Sequence, residues 1–134
     1  MDYYKLAEEE IKSIEVLQTA GQYRHVITHC CMCIEYLLKT KLVQINPASD
    51  VLYGHDIINI FKEVQERYTS SKNLISIVRF CRKYLNDSRY PASGTAAYTK
   101  KFAEDFIRYV TEIKNYIDNE CIATEDDLLD KYKK

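Results

Sequence analysis

The chain has 134 residues, 46% of them apolar, which is about the length and apolar content of one domain with a single core. Three glycines and two prolines are too few for an all-β fold with many tight turns or for a disordered protein. The net charge of −1 predicts neither nucleic-acid nor membrane binding by the molecule as a whole. The acidic N-terminus is unlike a signal peptide and no apolar run reaches the roughly 18 residues of a membrane span, so we expect a cytoplasmic protein without membrane contact.

Five segments of the chain have helical periodicity, and glycine, proline or cap-forming residues separate them. The breaks fall at Gly21, between Pro47 and Gly54, at residues 69–73, and between Pro91 and Gly94. Within each segment apolar residues recur three and four positions apart, and the five stripes start at Tyr4, Tyr23, Ile57, Leu74 and Phe102. No segment alternates with period two for long enough to indicate a strand. The sequence therefore predicts an all-α bundle of four to five helices.

The C-terminal residues differ from these five segments. They read ATEDDLLDKYKK, with a threonine that can cap a helix, acids in the first turn and lysines at the end. This pattern allows a short sixth helix. We therefore divide the chain into a helical bundle at residues 1–122 and a short charged tail or helix at residues 123–134.

The stretch HVITHCCMC at residues 25–33 has the residue types of a zinc site. His25, His29 and Cys33 are four positions apart, so a helix could present them on one side. A structural zinc site needs four ligands, usually in two separated pairs, and the remaining histidine and cysteines stand singly along the chain. Cys30 lies in the middle of the apolar stripe with Cys31 and Cys33 on its two margins, which is ordinary core packing. We therefore expect no metal, no cofactor and no disulfide.

A second face of the same segment mixes polar and apolar side chains. It consists of His25, His29, Met32 and Tyr36, a third of a turn or more from the core stripe. One interpretation is a partly exposed face that another helix covers. The other is a contact between subunits, since Met, Tyr and His suit an interface better than open solvent.

The one strongly basic part of the chain is residues 72–101, which hold seven bases and one acid, a net charge of +6. Spacings of three, four and three place one stripe of polar residues opposite the apolar stripe of the fourth segment: Arg79, Arg82, Asn86 and Arg89. Cations near the end of a helix favour the helix dipole, which is one explanation. The other is a binding site for phosphate oxygens, formed by the arginines together with Lys100 and Lys101, because guanidinium groups bind phosphate in a bidentate manner.

A turn must follow this stripe. Tyr90 precedes Pro91 and is therefore driven out of the helical conformation, so the fourth helix should end near Ser88. This places Arg89 and Tyr90 at the turn, where an arginine beside an aromatic ring can hold a phosphate and stack a base.

Three stretches resemble the HEPN (higher eukaryotes and prokaryotes nucleotide-binding) domain family. The stretch GQYRHVITHCCMCIEYLLKTKLV is similar to its second helix, and YGHDIINIFKEV to its Gly-His-Asp entry to the third. The stretch CRKYLNDSRYPASGTAAYTKKFAEDFIRYVTEIKNYI is similar to its fourth and fifth helices, joined by an Arg-Tyr-Pro turn. The likeness spans roughly residues 3–120. It implies an up-down bundle that is commonly dimeric and often works beside a minimal nucleotidyltransferase, as a separate chain or a fused domain.

The resemblance matches individual positions in three places. Glu35 and Lys39 match the second helix, His55 and Asp56 match the Gly-His-Asp element, and residues 89–91 match the turn of the nucleotide-binding branch. Another branch consists of ribonucleases, which need an arginine followed after four to six residues by a histidine at the end of the fourth helix. Neither Arg79 nor Arg82 has a histidine at that spacing, and none follows His55. The proton-transferring imidazole is absent there, so we expect no enzymatic activity.

We therefore expect a non-catalytic binding module for a nucleotide or for the substrate of a partner nucleotidyltransferase. A phosphate would lie against Arg82 and Arg89 with Tyr90 beside the base. The other expected site residues are Lys39, Arg79 and His55. For His55, capping or orienting the entry to the third helix is the alternative to ligand contact. Two other functions remain open: a ribonuclease or toxin with a non-standard active site, and a protein-binding antitoxin or adaptor.

Overall fold

The computed structural model describes residues 1–90 and 98–122, and these residues form five α-helices and no strand. The helices are α1 (Tyr3–Thr19), α2 (Tyr23–Ile45), α3 (Ile57–Arg67), α4 (Ile75–Arg89) and α5 (Lys100–Asn115). A 3₁₀ turn, Asp50–Tyr53, precedes α3, and a π-helical turn, Tyr116–Glu120, continues α5. The predicted all-α bundle is confirmed.

The long helix α2 is the centre of the bundle. It is hydrophobic on most of its circumference, and twelve of its residues are buried. Helix α1 runs antiparallel to it, because Tyr3 stacks on Tyr36 while the Cys33 thiol reaches the carbonyl of Ala7 further along. A helix that is apolar nearly all round has to be covered on several sides, and α1, α3, α4 and α5 all pack on α2.

Aromatic side chains join α4 to α5. The ring of Tyr84 meets Phe102 and Phe106 edge-on at 5.0 and 5.9 Å between ring centroids, and Phe80 stacks on Tyr109 at 6.0 Å. These pairs occur in reverse order along the two helices, so α4 and α5 are antiparallel. The result is the up-down arrangement that the resemblance implies.

Capping side chains set where three of the helices begin. Asp2, Asp56 and Thr99 each accept a hydrogen bond from the backbone N–H three residues later, at 3.0–3.2 Å. Between α1 and α2 the chain turns at Gly21, whose φ of 72° lies in the left-handed region that glycine adopts without strain. The helix boundaries therefore follow from local chemistry.

The three cysteines of α2 are core residues, as the periodicity predicts. Cys30, Cys31 and Cys33 are fully buried. Burial raises the pKa of the Cys33 thiol to about 12, and it raises the pKa values of Cys30 and Cys31 as well. Within the described ranges, no three His, Cys, Asp or Glu side chains are grouped so that they could hold a metal ion. The expected absence of a metal stays a prediction.

The end of α4 agrees with the sequence. The helix ends at Arg89, one residue beyond the predicted position, and Tyr90 has left the helical conformation. Pro91 and the predicted short helix in residues 123–134 lie outside the described residues. None of the helices described is both long enough and apolar enough to span a bilayer.

Candidate functional site

A buried ion pair on α2 fixes the entry to α3. Lys39 Nζ lies 3.3 Å from Glu35 Oε2, and it donates a hydrogen bond of 2.8 Å to the carbonyl oxygen of Gly54. The two side chains are only 6% and 5% exposed. Their spacing of four residues places them on adjacent turns of one helix face. Because both charges are removed from water, each depends on the other for compensation.

His55 completes this arrangement from the other side of the carboxylate. Its Nδ1 lies 2.9 Å from Glu35 Oε2 and 3.2 Å from Oε1. Since a carboxylate accepts, Nδ1 carries the hydrogen and donates a hydrogen bond to Glu35. The imidazole is otherwise 79% exposed, which leaves Nε2 as the nitrogen available to solvent or a ligand. We call Glu35, Lys39 and His55 the Glu35 network.

The Gly-His-Asp element now has a physical account. The Gly54 carbonyl accepts from Lys39, the His55 imidazole donates to Glu35, and Asp56 caps α3 by accepting from the backbone N–H of Asn59. These contacts fit the interpretation that His55 orients the entry to α3. Ligand contact by His55 stays a prediction.

The predicted arginines form a different kind of group. Arg79, Arg82 and Arg89 are exposed, and their guanidinium groups have no hydrogen bond or ion pair with any residue that the structure describes. We call these three residues the arginine stripe. By contrast, Lys101 Nζ lies 2.7 Å from Asp105 and Lys100 Nζ lies 4.0 Å from Glu104, so the lysines at the start of α5 are paired.

A fourth arginine, which the sequence did not single out, holds the C-terminal end of α4. Arg24 of α2 donates from Nη1 to the carbonyl oxygen of Ser88 at 2.6 Å and to that of Arg89 at 3.4 Å. The hydroxyl groups of Thr28 and Ser88 are 2.6 Å apart beneath it. Arg24 therefore supplies the cation that the last carbonyls of a helix favour, and the side chain of Arg89 does not make those hydrogen bonds.

The C-terminal end of α4 and the Glu35 network lie along the same side of α2. Thr28, which contacts the end of α4, precedes Glu35 by two helical turns, or about 10 Å along the axis. Burial raises the pKa of Tyr36, the nearby charges of Glu10 and Glu35 raise it further, and Arg89 acts in the opposite direction. Tyr36 is thus within electrostatic reach of both Glu35 and Arg89. Arg79 is ten residues before Arg89, about 15 Å along α4, so it lies away from this end.

The mixed face of α2 is partly covered by α1. His29 Nδ1 is hydrogen-bonded to the carboxylate of Glu10, and Tyr36 stacks on Tyr3 with 6.4 Å between ring centroids. The interpretation of a face covered by another helix therefore applies to these two residues. His25 is exposed and Met32 is half-buried, and a subunit contact through them stays a prediction.

The site is thus a long central helix that carries a buried Glu-Lys pair with an exposed histidine at one level. About two turns away it meets the C-terminal end of α4, where Arg89 is exposed. The model of the HEPN domain family matches residues 1–120, and the chain belongs to this family. HEPN domains are nucleotide-binding or ribonuclease-type modules. No curated protein and no solved structure matches the chain.

Proposed function

We propose that this HEPN domain is a non-catalytic binding module for a nucleotide or another phosphate-bearing ligand, held near the C-terminal end of α4. The observation that carries the proposal is the arginine stripe, whose guanidinium groups are exposed and have no carboxylate partner among the described residues. Unpaired guanidinium groups bind phosphate oxygens through two parallel hydrogen bonds. Arg24 already caps α4, so Arg89 is free of that structural task.

The proposed contacts differ in kind. Arg89 and Arg82 hold the phosphate, and Tyr90, which is 74% exposed at the turn, stacks on the base. Lys39 is buried and bound to Glu35 and Gly54, so its role is to position His55 and not to touch the phosphate. The level of Glu35 is about 10 Å along the axis of α2 from the level of Thr28 at the end of α4, and we propose that the ligand extends toward the exposed edge of His55.

Calorimetry with a panel of nucleotides, with and without magnesium, tests this function. We expect a dissociation constant on the order of 10–100 µM, since a small ligand held mainly by exposed charge gains only about 5–7 kcal/mol. Arg89→Ala should cost about 1–3 kcal/mol of that affinity. Arg108→Ala is the matched control, because Arg108 is also exposed but lies on α5 beside Asp105. If the parent chain and Arg89→Ala bind nucleotides with equal affinity, the turn only ends the helix and does not bind the ligand.

A second function, an enzyme with a non-standard acid or base, rests on the contact between Glu35 and His55. A carboxylate that orients a histidine through Nδ1 leaves Nε2 to transfer a proton. Single-stranded RNA incubated with the purified protein separates the two functions. Cleavage that is lost in His55→Ala and reduced in Glu35→Gln would favour the enzyme, whereas the binding module leaves the RNA intact.

The assembly that we propose is a homodimer that works beside a minimal nucleotidyltransferase. The resemblance to the family motivates both, and His25 with Met32 is the proposed contact. Light scattering at micromolar concentration should give twice the chain mass of 15.8 kDa. A monomer across that range argues against the dimer. If the domain is instead an adaptor that binds an acidic protein through the arginine stripe, calorimetry should detect no binding of nucleotides.

A further inference from the structure

The exposed half of α4 is strongly basic. Helix α4 contains four cations, all of them exposed: Arg79, Arg82, Lys83 and Arg89. Its single acid, Asp87, accepts a hydrogen bond from the hydroxyl of Tyr98. None of the four cations forms an ion pair with a carboxylate in residues 1–90 and 98–122. The proposed phosphate site uses Arg82 and Arg89, which leaves Arg79 and Lys83 without an assigned partner.

Phe80 adds an apolar element to this basic face. It is 41% exposed, whereas every other large apolar side chain of α4 is buried or half-buried. Its ring stacks on Tyr109 of α5, with 6.0 Å between the ring centroids and 7° between the ring planes, which fixes its position. Arg79 precedes Phe80, and Lys83 follows it by one helical turn, so the three residues form one exposed patch, the α4 patch. A partner that matches it carries carboxylates together with apolar side chains.

The described chain ends beside the start of α4. Helices α4 and α5 are antiparallel, so the C-terminal end of α5 lies next to the segment that leads into α4. The backbone N–H of Ser71 in that segment donates a hydrogen bond to Glu120 at 2.7 Å. Cys121 is buried in the bundle, and Ile122 is 59% exposed. The chain therefore leaves the bundle next to the N-terminal end of α4.

The sequence after Ile122 supplies the chemistry that matches the α4 patch. Residues 125–130 read EDDLLD, with four carboxylates, two leucines and no base, and we call them the acidic segment. A chain spans at most about 3.3–3.6 Å per residue, so the eight residues from 123 to 130 cover up to roughly 28 Å. Lys83 is eight residues after Ile75, the first residue of α4, or about 12 Å along the axis. The acidic segment is thus long enough to reach the whole patch.

We propose that the acidic segment docks on the α4 patch and competes with the phosphate-bearing ligand for the neighbouring Arg82. Its carboxylates pair with the cations of the patch, and Leu128 and Leu129 cover the ring of Phe80. Because both belong to one chain, the effective concentration of the segment at the patch is on the order of 1 mM, which lets a weak contact form. The competition rests on the proposed phosphate site, whereas the docking does not.

The docking is tested without any nucleotide. A neutral variant of the full chain replaces the four carboxylates of the acidic segment: Glu125→Gln, Asp126→Asn, Asp127→Asn and Asp130→Asn. In ¹H–¹⁵N correlation spectra, we expect the amide signals of residues 79–83 to differ between the parent and the neutral variant, and those of α3 to coincide. The matched control neutralises the lysines that follow the segment, at positions 131, 133 and 134, and should leave the signals of residues 79–83 unchanged.

Cross-linking locates the contact. A carbodiimide joins a carboxylate to a lysine amine that lies beside it, and Lys83 is the amine of the α4 patch. Mass spectrometry of the digested chain should find Lys83 joined to the acidic segment, and the exposed Lys62 of α3 should not be joined to it. Raising the salt from 50 to 500 mM should lower the yield several-fold, because exposed charges are screened within about 10 Å at 0.1 M.

Calorimetry measures the competition. The neutral variant should bind nucleotides about three- to tenfold more tightly than the parent chain, since Arg82 is no longer shared. Equal affinities of the two chains would overturn the competition. If neither chain binds a nucleotide, the phosphate site fails and the competition with it, while the spectra and the cross-links still decide the docking.

Two results would overturn the docking itself. The first is a parent chain and a neutral variant with the same signals for residues 79–83 and no cross-link to Lys83. The second is a cross-link that forms only between two chains in a mixture of ¹⁴N- and ¹⁵N-labelled protein, which would assign the acidic segment to a second copy.

Discussion

The Glu35 network and the arginine stripe are both charged groups, but they differ in burial and in pairing. Lys39 and Glu35 are paired and almost fully buried, whereas Arg82 and Arg89 are exposed and have no ionic partner among the described residues. Burying a charge is costly unless a partner compensates it, so the network has to be complete in the folded protein. Exposed charges carry no such requirement. The network is therefore expected to control stability, and the stripe to control binding.

The largest effect is expected from breaking the network at Lys39. Lys39→Met removes the cation and leaves Glu35 buried and uncompensated, which should cost about 3–5 kcal/mol of the free energy of unfolding in urea titrations. The control is Lys41→Met, two residues further along α2 at a partly exposed position. It should change the free energy of unfolding by no more than about 0.5 kcal/mol.

The double variant Lys39→Met with Glu35→Leu sharpens this test. It removes both charges, so most of the lost stability should return. If Lys39→Met costs no more than Lys41→Met, the network is not the stabilising group that its burial indicates.

An intermediate effect is expected at the end of α4, where one arginine is bound and its neighbour is not. Arg24→Met removes the hydrogen bonds to the carbonyls of Ser88 and Arg89 and should cost about 1–2 kcal/mol of unfolding free energy. Arg89→Met, at the same helix end, should change the stability by less than about 0.5 kcal/mol. Equal losses in the two variants would show that both cations cap the helix, and the difference between bound and free arginines would disappear.

Salt should distinguish the two regions without any substitution. Nucleotide binding at the arginine stripe should weaken between 50 and 300 mM salt, because exposed charges are screened within about 10 Å at 0.1 M. The cost of Lys39→Met should stay nearly constant over the same range, since a buried pair is screened much less. Calorimetry and urea unfolding at matched salt concentrations measure the two quantities. If the stability lost in Lys39→Met falls with salt as steeply as the nucleotide affinity, the buried network and the exposed stripe do not differ in screening.

The smallest effect is expected at Glu120, a carboxylate whose burial lies between that of the Glu35 network and that of the arginine stripe. The side chain and the backbone N–H of Ser71 hydrogen-bond to Glu120 and hold its pKa below the ordinary value of 4.5. A depressed pKa in the folded state contributes stability above pH 4.5 that is lost as the pH falls through the folded value. Glu120→Gln should therefore flatten the acid limb of the stability curve by a few tenths of a kcal/mol. An unchanged curve between pH 5 and 3 would exclude this contribution.

Much of the bundle could be predicted from local patterns. The stripes that begin at Tyr4, Tyr23, Ile57, Leu74 and Phe102 each became a helix, because apolar spacing of three and four already defines the face that must be buried. The stop after Arg89 follows from the restriction that Pro91 places on Tyr90. The 3₁₀ turn Asp50–Tyr53 and the π-helical turn Tyr116–Glu120 were not predicted, since neither has an apolar repeat of its own.

The candidate site was predicted only in part. The resemblance named Glu35, Lys39 and His55 as separate matches, and the fold joins them through contacts that span up to 20 residues of sequence. Arg24 was missed because nothing in the first turn of α2 indicates which helix end it will meet.

By itself, the sequence determined the helices, the core cysteines of α2 and the exposed arginines of α4, because each depends on periodicity within one segment. The tertiary structure alone decided which charges are paired. Arg24 and Arg89 are both arginines near one helix end, yet only Arg24 meets the carbonyl of Ser88, because the first turns of α2 pack against the C-terminal end of α4. Lys39 is buried and Arg82 is exposed for the same reason: the neighbours that a side chain meets are set by how helices pack, and packing decides what a charge does.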